Sequence, residues 1–323
     1  MKINDRIIQI VCPPNVKFMN YIPSDPEGIA DNNVYAKYNG WSNLIAGEGL
    51  KTLDGVQIIL HYLATHYHRP VIVIGGGTVQ DAAGFALAIY KRGTPWIFYP
   101  TTLLSMADSC IGDKVGLNYD GAKNQLGLFT GPKEVRICIE HLKTLPKPYY
   151  DSGMGEILKL FLLNDSKPPS ETIADMKYVI QMALTIKNSI IAVDPYDLKE
   201  RKVLNLGHTL GHAFEAMSDY TLPHGICVAY GIYLMNIWSS NQGNFTRHFE
   251  DWQNTLKSVF QPYPFDFPMT DLLDYVAKDK KAHGSQITLA IMIEPGHSFL
   301  TEMHIKQFCD EIQQIIEVDR KCI

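Results

Sequence analysis

The chain has 323 residues, of which 46% are hydrophobic and 20% are charged. This length and composition exclude a disordered protein and predict two domains rather than one. The formal net charge of −5 excludes the basic surface that a nucleic-acid-binding protein needs. A small anionic substrate remains compatible with this charge, because lysines can cluster locally.

The six cysteines are scattered along the chain without CxxC spacing, and the amino terminus lacks a basic region followed by an apolar signal core. Its apolar stretches are too short or too interrupted to provide the ~20 residues of a membrane-spanning helix. We therefore expect a reduced, soluble, cytoplasmic protein with no membrane partner.

The first elements alternate between strand and helix. Residues 13–33 are irregular in pattern and predict a surface loop or arm. Residues 56–77 then predict an amphipathic helix that leads into a buried parallel strand, PVIVIG. A small-residue helix over 81–93 and a strand at 94–100 follow. This alternation through about residue 145 predicts a doubly wound, Rossmann-like α/β domain.

The second half changes to long segments with helical spacing, notably 173–193, 203–217 and 305–318. Pro146 and Pro148 mark the predicted boundary. The expected domains are therefore a nucleotide-binding domain over 1–146 and a mainly helical metal- and substrate-binding domain over 147–323.

Three consecutive glycines, Gly75, Gly76 and Gly77, follow the buried strand and precede a helix that contains Asp81. Their N–H groups could approach a pyrophosphate at the positive end of that helix. A simple tight turn is the alternative, since the spacing is not GxGxxG.

Several amines stand in positions that are unusual for solvated side chains. Lys159 lies in an apolar helical segment three residues after Glu156, while Lys123 and Asn124 lie in GAKNQLG, which predicts a loop that holds anionic oxygens. The full set suggests a substrate with more than one negative group, although any single lysine is more often a solvated one. Its members are Arg92, Lys114, Lys123, Lys159, Lys187, Arg201, Lys280 and Lys281.

Glu156, His208 and His224 form a two-histidine, one-carboxylate set that suits zinc with positions left open for substrate oxygens. His208 and His212 are four residues apart on one predicted helix. Their spacing leaves open whether either histidine binds a metal or merely packs on the helix.

Taken together and in order, the motifs resemble the 3-dehydroquinate synthases and the wider sugar phosphate cyclases. The resemblance spans roughly residues 47–284. It rests on GEGLKTL, GGGTVQDAAGF, KRGTPWIFYPTTLLSMADSCIGDK, GAKNQLG, HLKTLP, SGMGEILK, RKVLNLGHTLGHAFE, LPHGICVAYG and KDKKAHG.

This resemblance implies a homodimeric carbon-oxygen lyase that uses NAD and zinc, with cobalt as a possible substitute. The implied substrate is 3-deoxy-arabino-heptulosonate 7-phosphate. It would become 3-dehydroquinate and phosphate through transient oxidation by NAD, phosphate elimination, re-reduction and intramolecular aldol closure. The Arg201 guanidinium and Asn205 would distinguish this carboxylated sugar from neutral ones.

The same resemblance implies a role for each matched position. Glu156, His208 and His224 would bind the metal, and His212 would face substrate and its phosphate. Catalytic contacts are expected from Lys114, Lys159, Lys187, Arg201, Asn205 and His212, and substrate contacts from Arg92, Lys123, Asn124 and Lys281, with Arg92 reaching the neighbouring subunit. NAD would contact Glu48, Lys51, Gly75, Gly76, Gly77, Asp81, Thr101, Thr102, Asp108, Lys123, Thr144 and Leu145.

Three features depart from the family pattern. The region before GEGLKTL is about a strand and a helix shorter than usual and lacks the early NE-type motif. Asp113 replaces a usual glycine, and Ile226 replaces a usual glutamate. The alternatives are a sister cyclase acting on sedoheptulose 7-phosphate or glucose 6-phosphate, a metal-dependent alcohol or glycerol dehydrogenase, and a non-catalytic cyclase homologue that serves as a binding subunit.

Overall fold

The structure is a computed structural model that describes residues 12–20, 28–31, 42–44, 47–67, 69–169, 175–278 and 282–322. These residues form two compact units. The sheet unit contains the described residues up to Pro146 together with 176–188, and the helical unit contains those from Lys147 to Asp175 together with 189–322. Residues 176–188 thus belong to the sheet unit, and the division into domains 1–146 and 147–323 stays a prediction.

Six parallel strands form the main sheet of the sheet unit. With strands numbered along the chain, their spatial order is β1-β8-β5-β4-β2-β3. They are β1 Val16–Phe18, β2 Ile29–Asp31, β3 Ser42–Leu44, β4 Val71–Gly75, β5 Trp96–Pro100 and β8 Glu134–Ile137. Between β5 and β8 the chain forms an antiparallel hairpin of β6 Lys114–Tyr119 and β7 Ala122–Phe129.

Two helices of the sheet unit precede and follow β4 in the chain. The glycine turn, Gly75–Gly77, connects β4 to the second of them. Helix α1, Leu53–Thr65, begins where the Thr52 side chain accepts the N–H of Gly55, and α2, Gly77–Ile89, begins at the end of β4. The short helical turns are Glu48–Leu50, Tyr90–Arg92, the π-helical turn Ser105–Ser109, and Ile139–Thr144. Ala30, Ile74 and Tyr99 pack together in the core, which explains the continuous apolar run of β4.

The helical unit is built around two long helices, α3 Lys147–Leu163 and α6 His224–Asn241. Its other helices are α5 His208–Met217, α7 Phe249–Phe260, α8 Leu272–Ala277 and α9 Ile305–Cys322, together with the end of α4, Met176–Val193, and the 3-10 turns Glu200–Asn205 and Met269–Asp271. A three-stranded antiparallel sheet contains β9 Ala282–His283, β10 Gln286–Glu294 and β11 His297–His304.

Glycines bring three helices of this unit into backbone contact. A Cβ atom on Gly155 of α3 would lie 2.0 Å from the carbonyl oxygen of Gly225 at the start of α6. On the other side of α6, a Cβ on Gly231 would lie 2.2 Å from the carbonyl oxygen of Gly207, the residue that precedes α5. Only glycine permits these approaches. They place the residues next to Gly155, Gly207 and Gly225 close to one another.

The predicted fold class, an α/β nucleotide-binding architecture with a mainly helical second part, is confirmed. Two local predictions are wrong. Residues 13–33 contain β1 and β2, and GAKNQLG lies largely in β7 rather than in a loop. The mainly helical second half also contains the small sheet β9–β11. Strands of three residues are too short to show a period, so β1 and β2 could not be recognised by pattern. Among the described residues, no helix is both long and apolar enough to cross a membrane.

Candidate active site

In the helical unit, two histidines converge on one buried carboxylate. Nε2 of His224 lies 3.0 Å from Oε1 of Glu156, and Nε2 of His208 lies 3.4 Å from the same oxygen. Glu156 is 1% exposed. The three residues come from three different helices, α3, α5 and α6, whose close contacts through glycine explain the convergence.

The other nitrogen of each imidazole also has a partner. Nδ1 of His208 lies 3.1 Å from the carbonyl oxygen of Leu206, so that Nδ1–H donates to it. Nδ1 of His224 lies 2.8 Å from Oε2 of Glu215, a buried carboxylate of α5. With Nδ1 donating, a neutral imidazole has its lone pair on Nε2, the nitrogen that lies beside Glu156, which is the tautomer a metal ligand needs.

Charges around the cluster hold its members in different protonation states. Burial opposes ionisation of Glu156, but Lys159 and the histidines outweigh it and hold its pKa well below the usual range. Burial and the adjacent Lys159 charge lower the pKa of His208 well below its ordinary value. Burial also opposes the charge on His224, yet Glu215 and Glu156 together raise its pKa to about 10.

The cluster fits a zinc or cobalt ion. The ligand atoms of Glu156, His208 and His224 all lie within 4.8 Å of one another, and the set of one oxygen and two nitrogens is typical of a catalytic metal with open positions. A buried carboxylate facing two imidazoles needs a positive charge, which a proton on His224 supplies when no metal is bound. A second set, His212, Glu215 and His224, satisfies the same distance criterion.

Further predicted residues lie in the helical unit. Lys159 is 2% exposed and pairs with Oε2 of Glu156, the oxygen that faces away from the histidines. The ring of His212 lies 5.4 Å from that of His208 and 5.8 Å from that of His224, measured between centroids. The metal cluster, which consists of Glu156, His208 and His224, therefore has the Lys159 cation on one side and the imidazole of His212 on another.

Arg201 lies in the 3-10 turn just before α5 and is 4% exposed. One guanidinium nitrogen donates to the carbonyl oxygen of Pro195 at 2.6 Å. The carboxylate of Asp194 shapes the turn, because it accepts backbone N–H groups from Leu198, Lys199 and Arg201 itself. Asn205 ends the same turn and donates to the carbonyl oxygen of Lys202 at 3.1 Å.

In the sheet unit, the glycine turn connects β4 to α2. A Cβ atom on Gly75 would lie 2.7 Å from Cβ of Val79, and one on Gly76 would lie 3.0 Å from Cγ2 of Thr102. Thr101 donates its N–H to the carbonyl oxygen of Gly75 at 3.0 Å. The turn thus has little room for side chains and leads directly into the N-terminus of α2, where helical N–H groups favour a diphosphate such as the pyrophosphate of a dinucleotide.

A network of charged and amide groups lies beside this turn. Nζ of Lys51 lies 2.8 Å from Oδ2 of Asp81, 2.8 Å from Oδ1 of Asn124 and 3.7 Å from Oε1 of Glu48. Burial opposes the charge on Lys51, but the carboxylates of Asp81 and Glu48 outweigh it and raise its pKa. Glu48 also accepts the side-chain N–H of Asn118 at 2.9 Å. Asp81 is therefore a paired carboxylate rather than a free one.

Lys187 lies in the sheet unit, although the chain reaches it after the first helix of the helical unit. Its Nζ donates to the carbonyl oxygen of Asp108 at 2.6 Å and lies 3.1 Å from Oδ1 of the same residue. The side-chain amide of Gln80 on α2 donates to the carbonyl oxygen of Ser109 and accepts from its hydroxyl, both at 2.7 Å, which holds the Asp108 turn beside the glycine turn.

The remaining predicted residues of this unit are exposed or half-buried. Lys114 is exposed at the start of β6, Lys123 is half-buried, Thr144 is exposed and Leu145 is half-buried. Arg92 follows the end of α2, a 13-residue helix of about 20 Å, and is therefore at the opposite end of that helix from Gly76. Lys280 and Lys281 lie outside the described residues.

Two site residues were absent from the prediction, Glu215 and Asp194. Glu215 follows His208 by seven residues on α5, so helical periodicity puts it on the same face, two turns away. That spacing was a usable signal. Asp194 could not be found this way, because its role depends on a turn whose geometry is not periodic.

Models of the 3-dehydroquinate synthase N-terminal and C-terminal domains match residues 42–152 and 153–282 of this chain. The chain belongs to the 3-dehydroquinate synthase family. The 3-dehydroquinate synthase of Clostridium acetobutylicum is 35% identical over 280 residues, which cover 81% of this chain and 78% of that protein. That of Alkaliphilus metalliredigens is 36% identical over 265 residues, covering 76% and 74%.

Solved structures with the same fold are more distant in sequence. A 2-deoxy-scyllo-inosose synthase complexed with carbaglucose-6-phosphate, NAD+ and Co2+ has a TM-score of 0.81 at 22% identity, covering 93% of this chain and 96% of that one. The valiolone synthase ValA of Streptomyces hygroscopicus subsp. jinggangensis, with NAD+ and Zn2+, has a TM-score of 0.79 at 19% identity, covering 94% and 96%. A probable glycerol dehydrogenase of Sinorhizobium meliloti scores 0.61 at 13% identity, covering 93% and 92%. The family match supports a lyase-type cyclase, and these solved structures show the shared fold.

Proposed function

We propose that the chain is a metal- and NAD-dependent 3-dehydroquinate synthase that converts 3-deoxy-arabino-heptulosonate 7-phosphate to 3-dehydroquinate and phosphate. The observation that carries this proposal is the convergence of His208 and His224 on Glu156, in a chain whose family consists of such synthases. The 3-dehydroquinate synthase relatives at 35 and 36% identity support the substrate.

Glu156, His208 and His224 would hold the metal, which when bound polarises the secondary alcohol of the substrate and stabilises negative charge that develops on its oxygen. Lys159 keeps Glu156 ionised and fixes Oε2, so that Oε1 stays directed toward the two histidines. Its buried ammonium also contributes positive charge where a sugar oxygen would approach.

Bound NAD would supply reversible hydride transfer, so the overall reaction would show no net redox change. The glycine turn would bind its pyrophosphate through the N-terminus of α2, and Glu48 would accept hydrogen bonds from a ribose hydroxyl. Lys51 orients this surface, because its Nζ joins Asp81, Asn124 and Glu48. The further cofactor contacts that we propose come from Thr101, Thr102, Asp108, Lys123, Thr144 and Leu145.

The carboxylate of the substrate would pair with Arg201. Its guanidinium is buried, and one of its nitrogens donates to the carbonyl oxygen of Pro195. A planar guanidinium matches the geometry of a carboxylate and can bind it through two parallel hydrogen bonds. Asn205 would add an amide contact from the same turn. Burial strengthens such a pair and makes the loss of the carboxylate costly, so this turn would discriminate against neutral sugars.

His212 would face the phosphate, since its ring lies beside the metal histidines. The other proposed phosphate and substrate contacts are Lys114, Lys123, Asn124, Lys187 and Lys281. We also propose a homodimer in which Arg92 serves the neighbouring subunit. Its place at the opposite end of α2 from the glycine turn supports this assignment.

The test is release of inorganic phosphate by the purified chain with NAD and Zn2+. The three substrates to compare are 3-deoxy-arabino-heptulosonate 7-phosphate, sedoheptulose 7-phosphate and glucose 6-phosphate. We expect release only from the carboxylated sugar, with 3-dehydroquinate as the product. Arg201→Ala should raise the KM for that sugar.

Release from a neutral sugar alone would assign the chain to a sister cyclase. Absence of release from all three, together with absence of bound NAD and metal, would support a non-catalytic binding subunit. Either result would overturn the proposal.

A further inference from the structure

Glu215 is a buried carboxylate for which the proposed reaction has no step. It lies near the end of α5 and is 4% exposed. Its Oε2 lies 2.8 Å from Nδ1 of His224, while Nε2 of the same imidazole lies 3.0 Å from Glu156. The ring of His224 is therefore held between two carboxylates at its two nitrogens.

The two metal histidines are anchored differently. His208 donates to the neutral carbonyl oxygen of Leu206 at 3.1 Å, whereas His224 donates to an ionised side chain at a shorter distance. The side chain of His224 is 32% exposed and that of His208 is 12% exposed. His224 thus has less packing to fix its ring and a stronger, charge-assisted bond instead.

The start of α6 provides no other carboxylate to accept the hydrogen bond that Nδ1–H of His224 donates to Glu215. His224 is the first residue of α6, and the first turn of that helix contains no acidic residue. The residue two positions later, Ile226, is fully buried and apolar. Without Glu215, the imidazole could rotate about its χ angles or exchange tautomers, and its Nε2 lone pair would face the metal position for less of the time.

We propose that Glu215 is a positioning residue that orients His224 and sets the metal affinity of the site. The inference rests on the proposed function, because it requires a metal at Glu156, His208 and His224. A carboxylate bonded to Nδ1–H fixes the tautomer with the lone pair on Nε2 and makes that nitrogen a stronger donor. Its negative charge also favours a divalent cation nearby.

The experiment compares wild type, Glu215→Gln, Glu215→Ala and a control, Asp151→Asn, all as full chains stripped of metal. Asp151 is a buried carboxylate of the same unit that accepts the Tyr263 hydroxyl and Lys147 rather than a metal histidine. Co2+ binding is followed by d–d absorption and by competition with a chelator. The Tm of each metal-free protein is measured in parallel.

We expect Glu215→Ala to weaken Co2+ binding by about 10- to 100-fold and to change the d–d bands. Glu215→Gln should weaken it by roughly several-fold, because the amide oxygen still accepts Nδ1–H but carries no charge. Asp151→Asn should lower Tm while leaving Co2+ affinity unchanged. A purely structural role for Glu215 would lower Tm without changing metal affinity or the absorption bands.

Wild-type Co2+ affinity and absorption in Glu215→Gln would overturn the inference, even if Glu215→Ala failed to fold. The proposed function would survive that result, since wild type and Glu215→Gln would both still bind metal. Failure of wild type to bind Co2+, or equal binding by Glu156→Gln, would instead remove the metal site and with it both proposals.

Discussion

The metal cluster of the helical unit and the glycine turn of the sheet unit organise charge in opposite ways. In the cluster, side chains from three helices direct their ligand atoms at one position, and Lys159 and a proton on His224 balance the Glu156 carboxylate when no metal is bound. Beside the glycine turn, Lys51 and Asp81 neutralise each other, and the main chain offers the donors. Binding at a site built from side chains is lost when one of those side chains is replaced. Binding at a site built from main-chain N–H groups is lost only when the fold around it changes.

The largest expected effect comes from removing a ligand of the cluster. Glu156→Gln or His208→Ala should lose metal and reduce phosphate release by about 10³-fold, roughly 4 kcal/mol of transition-state stabilisation. Metal content and kcat would be measured on folded protein. Glu311→Gln is the control, since Glu311 accepts the indole N–H of Trp238 and touches no ligand. Full activity in either ligand variant would mean that the cluster is not the catalytic metal site.

In the sheet unit, removing one member of a charged pair should lower the free energy of unfolding more than it lowers the catalytic rate. Lys51→Met leaves the carboxylate of Asp81 without its cation, and we expect a loss of about 3 kcal/mol in the free energy of unfolding. Urea denaturation measures it. The exposed pair Lys17–Glu134 provides the control, because Lys17→Met should cost less than about 1 kcal/mol.

Adding Asp81→Leu to Lys51→Met should restore part of the lost stability, since no buried charge then remains unpaired. If the double variant were less stable than Lys51→Met alone, the pair would not be the stabilising element of this network.

A smaller effect is expected from the turn that holds Arg201. Asp194→Ala removes the acceptor of three backbone N–H groups and should raise the KM for the carboxylated sugar about tenfold, roughly 1.4 kcal/mol. The kcat should change less than the KM, because Arg201 is proposed to bind rather than to react. Asp165→Ala, on an exposed salt bridge with Arg247, is the control. A fall in kcat with unchanged KM would contradict this role.

A further prediction concerns the proton on His224. The pKa of His224 is about 10 in the metal-free protein, against 6.5 for an ordinary histidine. Because the folded pKa is the higher one, its contribution to stability is complete below pH 6.5 and is lost as the pH rises toward 10. The Tm of the metal-free protein should fall over that range, and less steeply in His224→Gln.

Metal binding at pH 8 should consequently release about one proton from His224, since the ligand must be neutral. Calorimetric titration with Co2+ in two buffers of different ionisation enthalpy measures this number. Release of no proton would show that His224 is already neutral in the metal-free protein.

The sequence predicted the helices and strands whose apolar residues recur with a regular period, and the turn that requires glycine. Helices α1 and α2 and strands β4 and β5 each have a clear apolar pattern, and the close contacts at Gly75 and Gly76 leave little room for a Cβ atom. Strands β1 and β2 were not predicted, because their extended conformation depends on pairing with β8 and β4 rather than on a pattern in their own residues. The ligand trio was predicted through family resemblance, whereas Asp194 and Glu215 required knowing which hydrogen bonds the fold forms.

The backbone contact between Gly155 and Gly225 has a consequence for the choice of metal. Since no side chain separates α3 from α6 there, the main chain sets the distance between Glu156 and His224. Enlarging either glycine would widen the opening between those ligands and favour a cation of larger ionic radius. We therefore expect the spacing of the two helices to limit the size of a cation that Glu156 and His224 would hold.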